Sequence, residues 1–174
     1  NEAWSNVFIG NLCGYATTTG GHNVFIGNWC GMNNTEGSSN VIIGDLAGPN
    51  NNGHSNIFIG KQAGNGNVDG GANIHIGVIS GGNANGFNNI YIGTASGAIN
   101  TSGESNVFLG NMTGYQSTGS NNVFIGNHCG MYETGNNKLW IGNFSYPGPT
   151  EIPMIYGEFD NNILTFNTTK DGVE

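Results

Sequence analysis

Charge is what this sequence has least of. Only 8% of its 174 residues are charged, the cations are three lysines with no arginine, and the formal net charge is −8. Nucleic acids and anionic membrane surfaces are bound through clustered cations, so neither is an expected partner. No apolar window of about 18 residues exists, which excludes a spanning helix and any direct membrane insertion of that kind. The chain opens at Asn1 without a start methionine or a signal-like segment, as expected of a piece of something longer. Cysteine is scarce: three residues cannot all pair within one chain. His22, His54, His75 and His128 show no metal-ligand spacing, so no metal and no cofactor are expected.

Glycine is abundant, with 32 residues, and it is ordered. The stretch Ser5-Asn6-Val7-Phe8-Ile9-Gly10, followed by a small residue at Cys13 and a second glycine at Gly14, is rewritten along the chain. By its first glycine the register runs Gly10, Gly27, Gly44, Gly60, Gly77, Gly93, Gly110, Gly126 and Gly142, a step of 16 or 17 residues. A second line begins at Gly14 and a third at Gly20; together the three hold 25 of the 32 glycines. A strict period of this kind predicts a solenoid, with glycine at the corners where positive φ is needed. No GxGxxG or Walker pattern precedes a helix, so the glycines are geometry and not phosphate binding.

Side chains alternate faces along a strand, so Val7 and Ile9 point one way and Asn6 and Phe8 the other. The Val7 and Ile9 lines are Val, Ile or Leu in every copy, and they are expected to form the inside of the coil. The opposite line reads Phe8, Phe25, Ile42, Phe58, His75, Tyr91, Phe108, Phe124 and Trp140. An apolar ladder about 40 Å long on the outside would mark a subunit contact. His75 interrupts it, and in a trimer three copies could meet on the axis around a metal or an anion. Asparagine on the Asn6 line could satisfy backbone groups of the next turn.

Cys13, Cys30 and Cys129 share one repeat position, filled elsewhere by Ala47, Ala63, Ser80, Ser96, Thr113 and Ser145. The position demands a small residue, and stacking would place Cys13 and Cys30 about 4.8 Å apart, near disulfide range. Between the second and third glycines lie loops rich in Asn, Thr and Ser, which absorb the one-residue length difference. After Tyr146-Pro147-Gly148-Pro149 the pattern stops, dividing the chain into repeats over 1–146 and a tail over 147–174. The tail reads as a hairpin of Met154 to Phe159 against Ile163 to Phe166, a cap or neck for the open end.

The repeated Asn6-Val7-Phe8-Ile9-Gly10 with small Cys13 resembles the head repeats of trimeric autotransporter adhesins, the YadA-like family. The likeness covers about residues 5–145. It implies a left-handed parallel β-roll and a side-by-side homotrimer at a cell surface. Pro153 to Asp160 resembles the segment that follows such repeats in bacterial and phage-type tail-fibre proteins, upstream of an intramolecular chaperone domain. The coil is a few residues longer than the family's usual one, and the residue between Val and Ile is aromatic.

The acids, at most an isolated one per coil in the repeats, do not suggest the paired carboxylates of a polysaccharide-acting enzyme. A Gly-Asp turn occurs only near Asp69-Gly70 and forms no calcium ladder. The row Asn11, Asn28, Asp45, Lys61, Val78, Thr94 is too broken to template ice. Tyr15, Phe87, Tyr115 and Tyr132 lie in or beside the variable loops and are the candidate contacts for a surface glycan or protein receptor. The expected protein is therefore all-β, a parallel β-solenoid and a homotrimer, working outside the cell as a non-enzymatic fibre or adhesin module.

Overall fold

The computed structural model describes residues 4–145 and 152–167. The break at Tyr146-Pro147-Gly148-Pro149, and with it the boundary between 1–146 and 147–174, lies outside the described residues. What is described is all-β. Strands β1 (Val7–Ile9), β2 (Val24–Ile26), β3 (Val41–Ile43), β4 (Ile57–Ile59), β5 (Ile74–Ile76), β6 (Ile90–Ile92), β7 (Val107–Leu109), β8 (Val123–Ile125) and β9 (Lys138–Ile141) stack in chain order as one parallel sheet. Each residue pairs with its counterpart one repeat on, so Val7 faces Val24 and Phe8 faces Phe25. The fold is a parallel β-solenoid. The expected hairpin is present as β10 (Ile155–Glu158) and β11 (Ile163–Phe166), and β10 runs antiparallel to β9, extending the same sheet.

The inside and the outside of the coil are the reverse of the sequence expectation. Phe25, Ile42, Phe58, His75, Tyr91, Phe108 and Phe124 are fully buried within the single chain. No member of the Val7 or Ile9 lines is buried. The Phe8 ladder is therefore the chain's own core from Phe25 to Phe124, and a side chain with no exposed surface cannot be a subunit contact; at the two ends Phe8 is exposed and Trp140 half-buried. The reason lies in the turn that follows each strand. It folds the second glycine under the ring, so close that a Cβ on Gly14 would stand 2.7 Å from the Phe8 ring. Rings fill the cross-section that opens there, while the shorter Val and Ile side chains cover the other face.

Asparagine closes the polar side of this interior. Asn23, Asn40, Asn56, Asn73, Asn89, Asn106 and Asn122 are fully buried beside the rings. Each donates from Nδ2 to the carbonyl of a third-line glycine, as Asn73 does to Gly86 at 2.7 Å. The first six accept at Oδ1 from the backbone N–H of the next asparagine, as Asn73 does from Asn89 at 2.9 Å, and Asn122 accepts from the N–H of Lys138. The buried amide thus bonds across coils, as expected of that line, and leaves no stray donor or acceptor.

The corners differ from a pure glycine account. Gly10 and Gly14, with φ of 135° and 59°, do adopt positive φ. The third glycine line does not, and its reason is close approach: a Cβ on Gly37 would meet the Gly53 carbonyl oxygen at 2.7 Å. Two further rows take the left-handed conformation without glycine. One runs from Leu12, Trp29 and Leu46 to Ile79 and His128 at φ of 50–57°; the other precedes each asparagine, as at Ser5, His22 and Ser39. A left-handed residue with a Cβ costs roughly 1–2 kcal/mol. It is held here by bonds to the preceding coil, such as Trp29 N–H to Asn11 O at 2.9 Å.

Replacing one buried amide should expose how much the stack relies on it. Asn73→Ala leaves the Gly86 carbonyl and the Asn89 N–H buried without partners, a loss of about 2–5 kcal/mol in urea unfolding. Asn111→Ala, at an exposed turn, should change stability by no more than about 0.5 kcal/mol.

Candidate functional site

Identical strands in register place like on like, and this produces two continuous ladders. Inside, the rings stack nearly parallel: Phe58 on His75 at 4.9 Å between centroids, His75 on Tyr91 at 5.0 Å, Tyr91 on Phe108 at 4.9 Å and Phe108 on Phe124 at 4.8 Å. Trp140 tilts at the end and meets Tyr156 of the hairpin edge-on at 6.2 Å. Each such pair contributes about 0.5–1.5 kcal/mol beyond its area. The core thus runs unbroken into the cap.

Outside, Val7 to Leu139 and Ile9 to Ile141 form two rows of aliphatic side chains with no charge among them. Ile9 is 57% exposed, Leu109 44% and Ile59 36%; most of the others are half-buried against their row neighbours. The register carries this face onto the hairpin, since Ile141 pairs with Ile155 and that with Phe166, while Leu139 pairs with Gly157 and that with Leu164. Leu164 and Phe166 are exposed. Eleven strands at about 4.8 Å give a flat apolar face about 48 Å long, and three residues make it about 10 Å wide. This face is the principal surface feature of the chain, and it was missed because its residues were expected inside.

The inward asparagine line ends in a charge. Lys138 takes the ninth place, its N–H donating to Asn122 Oδ1 at 2.8 Å. Its Nζ donates to Glu158 Oε1 at 2.6 Å, the Tyr156 hydroxyl donates to the same oxygen, and Asn161 Nδ2 donates to Oε2 at 2.6 Å. Lys138 first, then Tyr156 and Asn161, hold the Glu158 carboxyl down at about 2. This pair ties the hairpin to the last coil.

Elsewhere the candidate groups stay apart. Tyr15 and Tyr115 follow second-line glycines six coils apart, a separation of about 29 Å. Tyr132 is exposed in the loop of the coil after Tyr115's. Phe87 is on another edge, its ring reaching back over Gly71, where an added Cβ would be 3.5 Å away. No single pocket unites the four. In the Asn11 row neighbouring side chains bond to each other, the Asn11 amide donating to Asn28 Oδ1 at 3.2 Å and the Asn28 amide to the Asp45 carboxylate at 3.0 Å. Among the described residues no three His, Cys, Asp or Glu side chains gather as a metal site would need.

His75 is corrected from a possible axial ligand to a core residue. It lies wholly inside one chain, so copies from neighbouring chains cannot converge through it. Burial holds its imidazole neutral, with the pKa pushed down to about 3. The cysteines are free and buried, which fits the small-residue position. Burial pushes the Cys30 and Cys129 thiols up to about 12 and also raises that of Cys13. No protein-family profile, no curated protein and no solved structure matches the chain.

Two measurements follow from these buried groups. Between pH 6.5 and about 3 the unfolded chain binds a proton at His75 and the folded chain does not, so stability falls as pH falls, by up to about 1.4 kcal/mol per pH unit. In urea titrations His75→Phe should remove that component and leave the remaining acid sensitivity intact; identical pH profiles would contradict it. For the thiols, iodoacetamide at pH 8 should leave the native chain unmodified and alkylate all three after unfolding. Rapid labelling of the native protein at Cys30 or Cys129 would contradict the burial.

Proposed function

We propose that this chain is a non-enzymatic fibre module, a homotrimeric β-solenoid that presents its loop edges to a glycan or protein receptor outside the cell. The observation that carries the reading is the uncharged aliphatic face running over solenoid and hairpin alike. Its footprint, about 48 Å by 10 Å, is near the upper end of what a monomer leaves in water. A partner must match a flat row of side chains repeating every 4.8 Å or so over that whole length. Another copy of the same chain has that period by construction. With a net charge of −8 per chain, copies repel except where the surface carries no charge, which favours this face over the loop edges.

The resemblance to adhesin head repeats agrees with such an assembly, with three chains side by side around a common axis. The Val7 and Ile9 rows then take the role first expected of the Phe8 ladder. Recognition falls to what varies between coils. Tyr15, Phe87, Tyr115 and Tyr132 supply rings on which sugar faces could stack, flanked by Asn, Thr and Ser. Their spread along two edges suits an extended or repeated receptor better than a single small ligand.

Light scattering should give about three times the chain mass of 18.1 kDa at micromolar concentration. Leu109→Lys should shift the protein to monomers with its fold retained by circular dichroism, since the added charge would be buried only at the interface. A monomeric wild type would overturn the assembly. Absence of binding on both a glycan array and intact cells by an assembled protein would overturn the adhesive role.

A further inference from the structure

The fifth coil is unlike the others on the inside. Its ring position holds the imidazole of His75 in place of a phenyl, and the residue facing the ring line is Ala84. The same position is Asn34, Asn51, Asn67 and Asn100 in four of the other coils, and Thr17, Ser117 and Glu133 in the remaining three. Backbone bonds from Gly66 to Gly82, from Asn83 to Ala98 and from Asn85 to Thr101 hold Asn67, Ala84 and Asn100 one above another. Only this coil shortens both the ring and its facing side chain.

Unpaired polar atoms occur in this coil and in the coil on either side of it. Both amide atoms of Asn67, both ring nitrogens of His75, the Tyr91 hydroxyl and Asn100 Nδ2 are buried with no hydrogen-bond partner in the protein. His75 lies flat against Tyr91, and Ala84 belongs to the same packed cluster as Tyr91. All four polar residues have no exposed surface. Single unpaired atoms also occur on this line at Thr17, Asn34 and Ser117, but beside full phenyl rings or isoleucine. Each buried polar group without a partner costs about 1–3 kcal/mol, too much to leave several together in a chain of marginal stability.

We propose that the fifth coil is an internal hydration site, holding one or two water molecules between His75, Ala84, Asn67, Tyr91 and Asn100. The chemistry fits water and little else. The space freed by Ala in place of Asn is roughly three heavy atoms, close to the 30 Å³ or so that one water occupies. The surrounding groups offer both donors and acceptors: Asn67 Oδ1 and an imidazole nitrogen accept, while Asn67 Nδ2, Asn100 Nδ2 and the Tyr91 hydroxyl donate. A buried water makes about three hydrogen bonds, and this set supplies them without a charge. The site is internal to one chain and independent of how chains assemble.

Water–protein cross-relaxation NMR on the intact chain tests it. The wild type should show cross-peaks of the sign typical of a long-lived water from the Ala84 methyl and from ring protons of His75 and Tyr91. These should be absent from the double variant His75→Phe, Ala84→Asn, which restores the ring and amide found in the neighbouring coils. If that variant does not fold, Ala84→Val, which fills the same space with apolar atoms, serves in its place. Folded wild type without such cross-peaks, or cross-peaks that survive filling of the site, would overturn the proposal.

Discussion

A buried asparagine that bonds at once to a glycine carbonyl and to the backbone of the next coil is the interaction on which this solenoid rests. Its two bonds, 2.8 Å from Asn56 to the Gly70 oxygen and 2.9 Å from the Asn73 N–H to the Asn56 oxygen, fix how far one coil stands from the next. That spacing brings the rings of the inner face to about 5 Å. It also forces a glycine wherever two backbones meet edge to edge, which is why the third glycine line exists without positive φ. Coil length varies by one residue, yet the amide bonds do not shift, because the loop between the second and third glycines absorbs the difference.

Much of this was written plainly in the sequence. The period, the strand at each copy, the small-residue position and the terminal hairpin follow from spacing and residue type alone. The choice of face did not. Parity put Asn6 with Phe8 and Val7 with Ile9, and hydrophobicity then favoured two aliphatic lines over one aromatic and one amide line. The balance tips the other way in the folded chain because the amide is fully bonded inside and no longer counts as a buried polar group. A signal was available: a large ring repeating with a glycine six residues later needs room that only an interior above that glycine supplies. The left-handed conformations at Leu12, Trp29 and Ile79 had no such signal, since nothing in those residue types asks for positive φ.

The inversion changes the functional logic more than the fold. With the rings inside, each chain owns its core. The surface left over is aliphatic and periodic, and under the proposed assembly it is the face where copies meet. The candidate recognition residues stay where the sequence placed them, on loop edges, but as separate points along a rod and not as one pocket. Lys138 and Glu158 finish the stack by replacing the repeating amide with an ion pair, so the cap continues both the inner and the outer ladder while ending the asparagine line.

The measurement that bears most directly on this account is the protection of the phenylalanine rings from a soluble paramagnetic agent, followed by NMR across a dilution series. The account predicts that rings of Phe25, Phe58, Phe108 and Phe124 are shielded at every concentration, because one chain buries them, while Tyr15 relaxes freely throughout. Rings that become as accessible as Tyr15 on dilution would show that neighbouring chains, and not the coil itself, cover them, and would contradict it.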